Sequence, residues 1–225
     1  MMAYWTPWPI GLVAGLAAAV ALSAVLGLAL IRLAWSLPRR LDAALPAHPT
    51  RLHRRLRLAF CLLAPLLSMG CVWRFGVTGA AAAAIVLVCV LLALAWMDAE
   101  TGYLPDRLTL PLLGAGLLLG AQGVFVAFMD ALIGAAAAYL TLWCLVWFFL
   151  RFRGVHALGG GDIKLLSALG AWLGWMALPR VLLLAASAAL ALAVLRRLTG
   201  HLAAGQALAF GPYLAAAGIW VLLGG

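Results

Sequence analysis

The sequence predicts an all-α, polytopic membrane protein with about eight transmembrane helices, and three observations carry that expectation. Of its 225 residues, 68% are apolar and only 9% charged, with a mean hydropathy of +1.15. A soluble surface around a core of this size needs far more polar residues. The apolar residues also run in long Ala/Leu-rich stretches without alternation, and the basic residues gather in the short connections between them. With lipid as the solvent, backbone groups must be satisfied within each segment, which favours helices over isolated strands.

Taken in chain order, the apolar stretches cover roughly 10–31, 57–73, 79–97, 108–129, 131–150, 164–178, 181–195 and 207–223. No Lys or Arg precedes the first stretch and basic residues follow it, so it reads as a retained span and not as a secretory signal. Residues 34–56 form the one sizeable polar connection, and the whole chain, 1–225, reads as a single membrane-embedded domain. Several stretches reach the roughly 20 residues that cross a hydrocarbon core, whereas 164–178 and 181–195 are short and need bilayer thinning or shelter by neighbours. The AAAAI and AAAAY tracts supply small-residue faces for close helix approach, and no repeat of 20–50 residues is visible.

Charge sets the expected orientation. With the amino terminus outside, Arg32, Arg39, Arg40, Arg51, Arg54, Arg55, Arg57, Arg107, Arg151, Arg153, Lys164, Arg196 and Arg197 fall on the cytoplasmic side, and only Arg74 and Arg180 fall opposite. Both termini are then expected outside the inner membrane. Asp98, Glu100, Asp106 and Asp162 come to the cytoplasmic ends of spans, and Asp130 to a tight outer turn. Because the net charge of +9 is distributed as topology signals, nucleic acid is not an expected partner. Cys61, Cys71, Cys89 and Cys144 all lie inside apolar stretches with no C-x-x-C pair, so neither zinc nor a disulfide framework is expected.

Two segments could carry chemistry. WMDAETGYLPDRLTLPLL, residues 96–113, gathers three acids between apolar spans, where charge is costly unless solvated, paired or useful. On the plain reading Asp98 ends one helix and Asp106 caps the next. GVHALGGGDIKLLSALGAWLGW, residues 154–175, runs three glycines into Asp162, which on the plain reading is a helix N-cap with Lys164 reaching the headgroups. The G-K-[ST] ending of a phosphate-binding loop is missing. Together the segments put two carboxylates at one membrane boundary. Such a pair ionises unequally, giving a base to activate water and an acid to protonate an amide leaving group.

Asp98 followed by LPD at 104–106 and TLPLL at 109–113, then ALGGGDIKLLSALGAWLGW at 157–175, then AFGPYLAAAGI at 209–219, resembles the successive motifs of the type IV prepilin (leader) peptidases, aspartic membrane proteases of the GxGD type. The resemblance covers most of residues 90–225. It implies an endopeptidase that removes the short basic leader of type IV prepilins or type II secretion pseudopilins after a glycine, on the cytoplasmic side. Mapped by motif, Asp98 and Asp162 are the catalytic pair, while Pro105, Asp106, Gly159, Gly161 and Lys164 shape the site. Glu100 is the backup acid.

Many relatives of that family resemble a fusion of peptidase and N-methyltransferase, with paired C-x-x-C motifs in a cytoplasmic loop. This sequence has none, and its 34–56 connection stands in place of that loop. His48 and His53 are expected to be ordinary loop histidines, and His156 a tolerated change just before the glycine run. No metal or cofactor is therefore expected, with S-adenosylmethionine relevant only if methylation persists. A rival from another class is a small proton- or cation-coupled transporter, whose inverted halves and broken midspan helices the sequence lacks. A non-catalytic assembly scaffold is a third reading. Oligomeric state has no sequence signal.

Overall fold

The apolar stretches fold as helices whose ends are set by local chemistry. The computed structural model describes residues 8–41, 48–154, 159–199 and 209–224. Its helices are α1 (Trp8–Leu41), α2 (Arg51–Phe75), α3 (Gly79–Thr101), α4 (Asp106–Ala121), α5 (Phe128–Arg153), α6 (Gly160–Leu173), α7 (Leu178–Leu198) and α8 (Gly211–Leu222). A single 3-10 turn, Trp175–Ala177, joins α6 to α7. Among the described residues there is no strand, and α1, α2, α3, α5 and α7 are each long and apolar enough to cross a membrane. The chain is an all-α, multi-pass membrane protein.

The Thr50 and Thr78 side chains accept the N–H groups of His53 and Ala81, satisfying free donors in the first turns of α2 and α3. Gly102, left-handed at φ +66°, ends α3 and returns its N–H to the Asp98 carbonyl at 2.8 Å. The helix after the first connection starts earlier than apolarity suggests. Arg51, Arg54, Arg55 and Arg57 face outward while His53 turns inward, so a polar run is a helix with one wet face. With α1 running to Leu41, the 34–56 connection contracts to 42–50, and α4 stops at Ala121 before a turn through Gly123.

α3 is the central helix, with 61% of its apolar window buried against 17–28% for the other four long helices. It packs against α1, α2 and α8, while α6 packs against α4 and α5. α8 touches both α3 and α6 and so ties the two groups together. Gly134 of α5 and Gly170 of α6 bring their backbones into direct contact, the close approach that small residues allow between membrane helices. The buried Trp172 of α6 anchors this group by donating its indole N–H to the Leu112 carbonyl of α4 at 2.8 Å.

Candidate active site

The site lies where the last turn of α3 meets the first turn of α6. Asp98 and Asp162 are each 6% exposed, and both line one cavity of about 320 Å³. Gly102, Tyr103, Leu104 and Asp106 complete it from the α3–α4 connection, and Gly159, Gly160, Gly161 and Lys164 from the start of α6. Both leading carboxylates therefore converge, as do Asp106, Gly159, Gly161 and Lys164; Pro105 stands beside them as the residue before α4.

Asp162 is not the N-cap of α6. Gly159 holds that position, and its carbonyl accepts the Asp162 N–H at 3.1 Å. Asp162 instead sits inside the first turn, where the helix dipole favours negative charge. Its Oδ1 is buried and has no hydrogen-bond partner among the described residues. A buried acceptor left unmatched costs about 1–3 kcal/mol, which is the signature of an atom held for something other than stability.

Asp98 is held from a third element. The Gly211 N–H at the start of α8 donates to Asp98 Oδ2 at 2.9 Å, across 113 positions of sequence. A methyl group added at Gly211 would lie 2.7 Å from that oxygen and 3.0 Å from the carboxyl carbon. Only glycine lets the α8 backbone approach this closely. Gly211 stands within the AFGPYLAAAGI motif, which is its only signal in the sequence, and the motif alone assigns it no role. Gly161 has a similar function at the other wall, since a Cβ there would meet Leu104 Cβ at 2.6 Å.

The rim is charged. Lys164 donates to both carboxylate oxygens of Asp106 at 2.6 and 2.7 Å, so it bridges α6 to α4 where the plain reading had it reach the headgroups. Lys164 is 35% and Asp106 50% exposed at the side chain, which makes this a wet clasp.

Glu100 and His53 depart from expectation. Glu100 does not line the cavity; its carboxylate accepts from Arg39 of α1 at 3.2 Å and Trp96 at 2.9 Å, and meets Nδ1 of His53 at 2.8 Å. His53 is no loop residue, being 5% exposed on α2 with its ring edge-on to Trp35. These residues make a buried polar lock between α1, α2 and α3. His48 is exposed, and His156 lies outside the described residues. Asp130, expected in a turn, is in the first turn of α5 and accepts the Trp175 indole N–H at 3.1 Å.

The residues present do not fit a tetracysteine zinc centre. The four cysteines are free and sit within α2, α3 and α5, and among the described residues no three metal-ligating side chains converge.

Comparison with known proteins gives a single picture. Residues 85–194 match the type IV leader peptidase family, and that segment contains both carboxylates. A Burkholderia pseudomallei prepilin leader peptidase/N-methyltransferase is 49% identical over 159 residues, covering 71% of this chain and 52% of that protein. Proteins of the same name from Pectobacterium carotovorum subsp. carotovorum and Aeromonas hydrophila are 45% and 46% identical over 157 and 162 residues. Those matches cover 70% and 72% of this chain, and 56% of each relative. The chain thus spans about half the length of the curated relatives it matches. No solved structure matches. The segment that holds both buried aspartates, residues 85–194, belongs to the type IV leader peptidase family.

Proposed function

We propose that the chain is an aspartic endopeptidase that cuts the short basic leader from prepilins or pseudopilins at the cytoplasmic face of the inner membrane. The observation that carries this reading is the meeting of Asp98 and Asp162, from separate helices, in one cavity. Family membership and the names of the relatives support the substrate class. The distribution of basic residues supports the cytoplasmic placement of the site, with both termini on the outer side.

In the proposed reaction one aspartate, ionised, takes a proton from the attacking water while the other, protonated, hydrogen-bonds the scissile carbonyl oxygen. The tetrahedral intermediate then collapses, and the amide nitrogen leaves with a proton supplied by the pair. Asp162 Oδ1 is not engaged by any described residue, and the Gly211 N–H fixes Asp98 through one of its two oxygens. Asp106 and Lys164 clasp the rim and hold the glycine turn against Leu104.

The test is cleavage of a prepilin-like substrate by protein reconstituted in liposomes. Asp98→Asn and Asp162→Asn keep volume and remove acid–base capacity, so each is expected to remain folded and to lose cleavage. Cleavage retained by either variant removes that residue from the mechanism. We further propose that methylation of the new amino terminus is not carried by these residues, which offer neither the cysteine pairs nor a metal cluster; a methylated product on adding S-adenosylmethionine would overturn this.

A further inference from the structure

Away from the aspartates, another cavity lies between α1 and α2. It has a volume of about 610 Å³ and is lined by Leu28, Ile31, Arg32 and Trp35 of α1, by Pro49, and by His53, Arg54 and Arg57 of α2. Three arginines thus line one groove. Among the described residues none of the three has an ion-pair partner, whereas Arg39 and Lys164 do. Glu100, which meets His53 of this wall, is also engaged by Arg39 and Trp96.

We propose that this groove binds the phosphodiester headgroup of an anionic phospholipid. Guanidinium forks match phosphate oxygens in a bidentate way, and three arginines without an ion-pair partner among the described residues make a positively charged wall. The composition of the wall selects a lipid over a free anion or an acidic peptide. Leu28 and Ile31 lie within one helical turn before Arg32 on a span that is only 28% buried, so the basic patch continues into surface that faces acyl chains. Basic pockets between membrane helices at the headgroup level are the usual seats for such lipids. Trp35 closes the groove, its ring carrying the Arg39 guanidinium 3.3 Å from the centroid and meeting His53 edge-on. The groove therefore backs onto the lock that holds the end of α3, without contributing to the aspartate cavity. The proposal is independent of the proposed peptidase reaction.

The experiment is native mass spectrometry of the full chain in non-ionic detergent, titrated with phosphatidylglycerol, phosphatidylcholine or inorganic phosphate. One phosphatidylglycerol is expected to bind in preference to phosphatidylcholine, and millimolar inorganic phosphate is expected not to displace it. The triple variant R32Q/R54Q/R57Q should weaken that binding roughly a hundredfold. R151Q/R196Q/R197Q, which removes the same charge from exposed positions elsewhere, should leave it unchanged. R32K/R54K/R57K, which keeps charge and fold, should retain part of the binding and lose its preference for a phosphodiester. Equal losses in the two glutamine triples would mean general surface attraction and overturn the site. Displacement by inorganic phosphate, or equal binding of phosphatidylcholine, would overturn the lipid assignment.

Discussion

Three single residues carry more of the structure around the site than their size suggests. Gly211 gives Asp98 its one backbone donor, so Gly211→Ala forces a methyl group against the carboxylate. Overpacking of this kind costs about 1–3 kcal/mol, and the displaced acid should lower kcat by roughly tenfold or more. Cleavage assays beside a melting curve in detergent check both. Glu100 is different, because its removal leaves Arg39 and His53 facing a buried gap. Glu100→Ala is expected to destabilise by about 3–5 kcal/mol, the usual cost of stranding one side of a buried pair, and to show as a large drop in melting temperature. Asp106→Asn breaks a half-exposed clasp and should cost no more than about 1 kcal/mol of stability. A fall in cleavage with that small a melting shift would place Asp106 in site geometry. The aspartate pair also predicts a bell-shaped pH dependence of kcat/KM, since cleavage needs one carboxyl protonated and its partner ionised.

At the scale of elements, much was legible in the sequence because lipid imposes a simple rule. A run of apolar residues long enough to cross must be helical, and the eight apolar runs appear as eight helices among the described residues, five of them long enough to cross. The errors came where that rule is silent. Residues 51–56 are too basic to look like a span, yet Thr50 caps them and arginine is a good helix former, so α2 begins in the polar connection. The positions of Asp98 and Asp162 at helix ends could be read, because glycine and proline punctuate the first segment and a run of glycines the second. Their shared cavity could be inferred only from the motif resemblance. The Glu100 lock could not be read at all, since its partners lie 61 and 47 positions away and each residue looks ordinary in its own segment. Gly211 was visible as part of a motif, but its role depends on how α8 crosses α3, which spacing does not encode.

For the whole molecule, α8 joins the α3 group to the α6 group, and the aspartates sit on opposite sides of that seam. The proposed orientation makes a separate prediction: in a cysteine-free background, Tyr103→Cys should react with a membrane-impermeant thiol reagent only from the cytoplasmic side, and Val77→Cys only from the outer side. Both positions are exposed, at 41% and 63%. The opposite pattern would invert the topology and remove the access of a cytoplasmic leader to the cavity. The central claim is that Asp98 and Asp162 act as one hydrolytic unit. It is tested most directly by comparing the cleavage rates of Asp98→Asn, Asp162→Asn and the double variant against wild type. Residues that act as a unit are strongly non-additive, so the double variant is expected to be no slower than either single one. Losses that multiply, or a single variant that still cleaves at the wild-type rate, would contradict the account.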